Sequence, residues 1–167
     1  GGHNRKYGIF VTCPCDIASS EVLLLVADRC KIVPLGIGQT PFQQVPAEAV
    51  ADLERRYGDG PWVLFVGVLR YYKGLRYLID AMQQIPARLL IVGQGPEEPR
   101  LREQVAQLGL QDKVIFAGAV SDADLPAYYR LARLLCLPAS DRSLAFGLVQ
   151  VEALASGTTS YTHLRTH

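Results

Sequence analysis

The feature that most constrains this chain is the alternation of short apolar runs with stretches of helical periodicity. Largely apolar runs lie at residues 31–36, 62–66, 88–92, 113–117 and 134–138. A run without polar alternation is typical of a strand buried on both faces. Helical periods lie between the runs, at about 46–57, 75–82, 101–108, 125–132 and 146–156. This order predicts βαβ units, a parallel sheet and a doubly wound, Rossmann-like α/β fold, with its last strand at 134–138.

Composition excludes several classes of function. The chain has 167 residues, enough for one ordinary domain with its own core. The formal net charge is +1, which gives no electrostatic footprint for duplex nucleic acid. The richest apolar run, 22–27, is too short to span a bilayer. The cysteines lack zinc-site spacing and are expected to be cytosolic thiols, so no metal is expected; they are Cys13, Cys15, Cys30 and Cys136.

Ligands of such sheets bind in the loops at the carboxyl ends of the strands. The loop at 67–74 contains Gly67, Arg70 and Lys73. Glycine lets a ligand approach the backbone, and Arg and Lys can neutralise a phosphate. The alternative is a solvated turn with ordinary surface cations.

The next loop contains Gly93 and Gly95, separated by one residue. It begins like a dinucleotide fingerprint, but Glu98 stands where the third glycine belongs. A lone pair of this kind is weak evidence, and a tight strand-to-helix turn explains it equally well.

The loop at 139–147 runs directly into the predicted helix at 146–156. The free N–H groups and the dipole of a helix N-terminus favour an anionic oxygen. Glu152 interrupts an otherwise apolar stretch, where a carboxylate needs a partner. The alternative is a helix face that reaches solvent, and the pattern leaves both open.

Five segments together resemble one family. Over residues 31–159 the chain resembles the nucleotide-sugar-binding domain of the GT-B retaining glycosyltransferases of family 4, and in detail bacterial enzymes of surface-polysaccharide assembly. The segments are VPLGI at 33–37, FVG at 65–67 with KG at 73–74, IVGQGP at 91–96, VIFAG at 114–118 and FGLVQVEALASG at 146–157. The resemblance implies transfer of a hexose from a UDP- or GDP-linked donor to a glycan or lipid-linked acceptor, with retention and without a metal or other cofactor.

The resemblance also implies roles for the first two loops. Lys73 would bind the donor diphosphate, and Arg70 is assigned to the same site. Gly67 is also assigned to the donor site, and Gly93 and Gly95 would shape the nucleotide pocket.

The remaining donor-site residues follow the later strands. Val120 would lie beside the base. Gly147 and Leu148 would offer backbone N–H groups to the phosphates, with Phe146 next to them. Glu152 would hold the ribose hydroxyls, as the second glutamate of the family's paired-glutamate motif.

Three positions depart from the family pattern. Leu144 stands at the place of the first glutamate, so no catalytic residue is assigned. Val68 replaces the family's diphosphate arginine, with Arg70 two places further along. The residues after Gly157 do not continue the family's motif, although residues 161–164 have some strand character.

These features give an expected organisation. Residues 1–30 form an N-terminal segment from a preceding domain or linker, 31–160 the donor-binding domain, truncated at its C-terminal end, and 161–167 a tail. The chain alone is expected to be inactive without an acceptor-binding domain. We also expect a cytoplasmic protein, its parent at the inner face of the membrane, and self-association through an uncovered sheet edge.

Two other functions stay open on the sequence. Leu144 and Val68 favour a non-catalytic nucleotide-binding or interaction module derived from the same fold. A dinucleotide-dependent oxidoreductase domain is the third hypothesis, and Glu98 argues against it.

Overall fold

A computed structural model describes residues 9–11, 30–32, 40–138 and 148–162. The chain divides into two compact units, Gly1–Ile37 and Gly38–His167. In the first unit Ile9–Val11 (β1) and Cys30–Ile32 (β2) form a parallel pair. The expected domain boundary after residue 30 therefore falls inside a strand, because β2 spans residues 30–32.

The second unit alternates strands and helices as the sequence pattern predicts. Its elements are Thr40–Gln43 (α1), Ala47–Tyr57 (α2), Trp62–Val66 (β3), Leu75–Ala81 (α3), Arg88–Val92 (β4), Glu98–Gln107 (α4), Val114–Gly118 (β5), Leu125–Leu131 (α5), Leu134–Leu137 (β6), Leu148–Ala155 (α6) and Thr159–Thr162 (β7).

The strands of the second unit form one parallel sheet in the order β5-β4-β3-β6-β7. From β3 the chain winds outward through β4 and β5. It then returns to the other side of β3 and continues through β6 and β7. This reversal creates a crevice at the carboxyl ends of β3 and β6, the place where open α/β sheets bind ligands.

Side chains of the central strands alternate between two apolar layers. Val63 and Phe65 belong to the layer that contains α3 and α4. Trp62 and Leu64 belong to the layer that contains α2, α5 and α6. All four side chains are buried, which explains why the run carries no polar alternation. The doubly wound α/β fold is confirmed.

The C-terminal part differs from the expectation that the last strand lies at 134–138. Thr159–Thr162 forms a further parallel strand, in register with β6 so that Tyr161 lies opposite Cys136. The tail expected from residue 161 therefore begins inside β7. Its sequence, TSYT, contains no apolar run, which an edge strand does not require, so hydropathy alone does not predict it.

The turn before β7 is fixed by buried polar groups. Thr158 is 4% exposed, and its Oγ1 donates to the C=O of Tyr129 at 2.5 Å. Among the described residues, no helix has both the length and the hydropathy needed to cross a bilayer.

Candidate functional site

Backbone hydrogen bonds connect the first residue after β3 to the end of β4, and the first residue after β4 to the end of β5. The N–H of Gly67 donates to the C=O of Val92 at 3.0 Å, and the N–H of Gly93 donates to the C=O of Gly118 at 2.8 Å. The carboxyl edge of this half of the sheet is therefore a continuous backbone surface.

Two glycines allow the first and second loops to approach so closely. The φ of Gly93 is +130°, and a Cβ there would overlap the carbonyl oxygen of Gly67. A Cβ at Gly95 would overlap the backbone of Leu69, whose C=O accepts the N–H of Glu97 at 3.1 Å. Both glycines are thus required by loop packing, whether or not a ligand lies above them.

The cationic loop after β3 folds into a 3-10 turn, Tyr71–Lys73. The N–H of Lys73 donates to the C=O of Arg70 at 3.0 Å, so both cations belong to one turn. Gly74 follows with a φ of +70° and starts α3. Within the described part of the chain, no carboxylate lies at ion-pair distance from either cation.

Lys73 is half-buried, and its Nζ lies 5.7 Å from the centroid of the Tyr72 ring. Burial lowers the pKa of its ammonium group. A partly desolvated cation without a carboxylate partner is a favourable place for an anion. Arg70 is exposed and lines a narrow crevice with Glu97.

Glu152 lies one turn after the start of α6 at Leu148. Its Oε2 accepts a hydrogen bond from the phenol of Tyr129 at 2.7 Å. The partner that this carboxylate requires is therefore a fully buried tyrosine of α5. Burial, together with the bond to Glu152, raises the pKa of Tyr129, so the phenol stays protonated and donates.

The remaining predicted site residues are placed less completely. Val120 is half-buried and packs against the layer of α2, α5 and α6. Val68 is 51% exposed. Leu148 is the first residue of α6, and Leu144, Phe146 and Gly147 lie outside the described residues.

The structure brings together the predicted site residues that follow β3 and β4. Gly67, Gly93 and Gly95 share one packed backbone surface. Because β3 and β6 are parallel neighbours, the loop that carries Lys73 starts beside the carboxyl end of β6. Tyr129 is not predicted by the sequence pattern, since an apolar helix period gives the same signal for a core tyrosine and for a hydrogen-bond donor.

The described residues contain no group of three or more His, Cys, Asp or Glu side chains that could hold a metal ion. Independence from a metal stays a prediction.

Comparison with known sequences gives one consistent picture. Residues 49–160 match the family model "Glycosyl transferases group 1". The chain is 36% identical to O-antigen chain mannosyltransferase C of Escherichia coli, over 86% of this chain and 38% of that protein. It is 33% identical to the D-rhamnosyltransferase WbpZ of Pseudomonas aeruginosa, over 89% of this chain and 39% of that protein. The chain thus spans well under half the length of these curated relatives.

Solved structures also match this chain over most of its length. Sucrose-phosphate synthase from Thermosynechococcus elongatus is 33% identical, with a TM-score of 0.78 over 92% of this chain and 39% of that one. Anabaena HepE in complex with UDP-glucose has a TM-score of 0.81 over 93% of this chain and 44% of that one. At 20% identity, HepE supports the fold alone.

Proposed function

Because the chain belongs to the group 1 glycosyltransferases, we propose that it is the donor-binding part of an enzyme that transfers a hexose from a nucleotide sugar. The acceptor is a glycan or a lipid-linked sugar, and the anomeric configuration is retained. The chain covers 38% and 39% of two curated relatives, which leaves room for an acceptor-binding domain elsewhere in a longer protein. By itself the chain binds the donor without turnover.

The observation that carries this proposal is the crevice at the strand-order reversal. Lys73, a half-buried cation without a carboxylate partner among the described residues, follows β3, and Glu152, a carboxylate bonded to a buried phenol, belongs to α6, the helix that follows β6 in the chain. A nucleoside diphosphate offers both an anion and vicinal hydroxyls, so one ligand satisfies both groups. The start of α6 adds N–H groups that suit a phosphate.

In the reaction, the bond between the anomeric carbon and the diphosphate oxygen breaks, and an acceptor hydroxyl oxygen forms the new bond to that carbon while its proton passes to the leaving diphosphate. Negative charge develops on the leaving nucleoside diphosphate as its bond breaks. Lys73 would stabilise that charge, and Arg70 would add positive potential from the same turn. Glu152 would contribute binding and orientation by accepting hydrogen bonds from the ribose hydroxyls. No metal is part of this scheme, and binding is expected to be equal with and without a chelator.

A second candidate is a non-catalytic nucleotide-binding module. Leu144 favours it, because an isobutyl group cannot accept the hydrogen bond that the family's first glutamate accepts from the sugar. The exposed Val68 favours it too, since it supplies no charge to the diphosphate. The two candidates differ in turnover by the longer protein that contains this chain, and share the binding step.

The relatives named above are an O-antigen chain mannosyltransferase and a D-rhamnosyltransferase, both from bacteria. By that analogy we propose a bacterial enzyme of surface-polysaccharide assembly, working in the cytoplasm at the inner face of the membrane. Fractionation of cells that express the full reading frame would test this, and a secreted or periplasmic product would contradict it.

The donor-binding proposal is tested by calorimetric titration of the 167-residue chain with UDP, GDP and NAD. We expect saturable binding of UDP or GDP and none of NAD, because the dinucleotide fingerprint is incomplete at Glu98. Absence of binding for both diphosphates at millimolar concentration would overturn the proposal. Preference for NAD would favour an oxidoreductase domain instead.

A further inference from the structure

We propose that Tyr129 is a positioning residue for nucleoside recognition, holding one carboxylate oxygen of Glu152 so that the side chain presents its remaining acceptors to the ribose hydroxyls. The inference rests on the proposed donor-binding function. In this proposal Tyr129 acts through Glu152 and need not touch the ligand itself.

The contact is short and shielded from water. The Tyr129 hydroxyl donates to Glu152 Oε2 at 2.7 Å, and Tyr129 is 0% exposed whereas Glu152 is half-buried. A hydrogen bond to an ionised oxygen is stronger than a neutral one, and more so away from water. The bond therefore ties Glu152 to the buried layer on one side and leaves part of its carboxylate accessible on the other.

Tyr129 is itself fixed from two directions. Its ring packs edge-on against Phe42, with ring centroids 6.1 Å apart. Its C=O accepts the Thr158 hydroxyl at 2.5 Å, which links α5 to the turn before β7. The phenol is thus a rigid support for Glu152.

Glu152 is fixed along its backbone. Its C=O accepts the N–H of Ser156 at 3.0 Å and the Ser156 hydroxyl at 2.9 Å. With the backbone set by α6 and one oxygen set by Tyr129, little rotamer freedom is left to lose when a ligand binds.

The acceptor positions that remain on the Glu152 carboxylate suit a diol. An ionised carboxylate is an acceptor with about four lone-pair sites, and one is used by Tyr129. The others can accept from vicinal hydroxyls.

The chain offers a matched control in the next residue. Tyr128 is 4% exposed and lies on the same helix, and its hydroxyl is 3.3 Å from that of Tyr57. Tyr128→Phe therefore removes a buried phenol from the same layer without touching Glu152.

The test compares affinities for UDP and 2′,3′-dideoxy-UDP, or the guanine pair if GDP is the better ligand, in wild type, Tyr129→Phe and Tyr128→Phe. Wild type is expected to favour the ribonucleotide by about tenfold or more. The dideoxy analogue has no hydroxyls to donate to the acceptor positions of Glu152 that Tyr129 leaves open. Tyr129→Phe should weaken UDP binding by about fivefold and leave the dideoxy affinity nearly unchanged, so the preference falls. Tyr128→Phe should keep the wild-type preference.

An equal loss for both nucleotides in Tyr129→Phe would overturn the inference, because a merely structural defect acts on both. The double variant with Glu152→Gln gives a second measurement. If Tyr129 acts through Glu152, the double variant loses no more than Glu152→Gln alone, whereas additive losses contradict it. Wild type that binds the ribo and dideoxy forms equally would overturn the role of Glu152 and Tyr129 alone, and wild type that binds neither would overturn the donor-binding function as well.

Discussion

At the scale of single residues, Lys73 is expected to contribute most directly to the binding of an anionic ligand. Its ammonium group has lost part of its hydration, and burial lowers its pKa. Such a group is stabilised when an anion approaches, so its contribution to binding should exceed that of a fully hydrated surface lysine.

We expect Lys73→Ala to weaken UDP or GDP binding about tenfold or more, because a charge-assisted contact contributes roughly 1.5–3 kcal/mol. Calorimetric titration measures the change. Lys113→Ala is the control, since Lys113 directly precedes β5 at the opposite, amino end of the strands. Equal affinity in wild type and Lys73→Ala would remove this lysine from the site.

Cys136 gives a residue-scale dependence on pH. Burial in the layer of α3 and α4 raises the pKa of its thiol from 9.0 to about 11. The folded state therefore keeps a proton that the unfolded state releases. The stability this provides is complete below pH 9 and is lost as pH rises toward the folded value.

Between pH 8 and pH 10 the thiol should lower the free energy of unfolding by about 1 kcal/mol. Urea unfolding of wild type and Cys136→Ala across this range, with reductant present, isolates the effect. The variant starts less stable, because a buried sulfur is removed, but should lose about 1 kcal/mol less on going to alkaline pH. Parallel curves for the two proteins would contradict the assignment.

The sequence pattern also has a limit at this scale. The need of Glu152 for a partner follows from its apolar neighbours in the chain. The identity of that partner depends on how α5 packs against α6, a contact between residues 23 positions apart. No local periodicity contains that information, so only the fold assigns Tyr129 to Glu152.

At the scale of elements, β3, β4 and β6 were predictable because burial on both faces removes polar alternation. β5 lies at one edge of the described sheet but keeps an apolar run, whereas β7, at the other edge, does not and was missed. The glycine loops were predictable as turns. Their mutual packing was not, since it depends on which loops the parallel strands place side by side.

The packing of the first two loops gives an element-scale prediction. Gly93→Ala should destabilise the fold by about 3 kcal/mol or more, because φ is +130° and the new Cβ would overlap the Gly67 carbonyl. Gly109→Ala is the control: its φ is +66°, but nothing lies within 4 Å of a Cβ there. It should cost about 1 kcal/mol.

Urea denaturation of both glycine variants measures the difference. Similar losses for Gly93→Ala and Gly109→Ala would show that backbone conformation, and not loop contact, decides the cost at Gly93. A difference of about 2 kcal/mol or more in the expected direction supports the packed-loop surface.

At the scale of the whole molecule, β7 is the outermost strand of the described sheet beyond β6. An edge strand presents backbone N–H and C=O groups that can pair with another chain. We propose self-association through this edge, so sedimentation velocity at increasing concentration should show a rising mean mass.

Thr159→Lys should reduce that association, because Thr159 is exposed at the start of β7 and a charged edge side chain opposes strand pairing. Monomeric sedimentation of wild type at every concentration would contradict the proposal. Unchanged association in the variant would place the contact elsewhere on the surface.

The reversal of strand order also separates strand pairs that close short loops from a pair that closes a long one. β3, β4 and β5 follow one another along the chain, whereas the pairing of Val63 with Leu134 and of Leu64 with Leu135 closes a long loop. Loop closure of this length slows formation, so the junction between β3 and β6 should be assembled late and open early in local unfolding. A nucleotide bound across that junction would stabilise it against local unfolding. Amide hydrogen exchange in β6 and α6 should therefore slow when the nucleotide binds. Donor recognition and cohesion of the two halves of the sheet are then the same event.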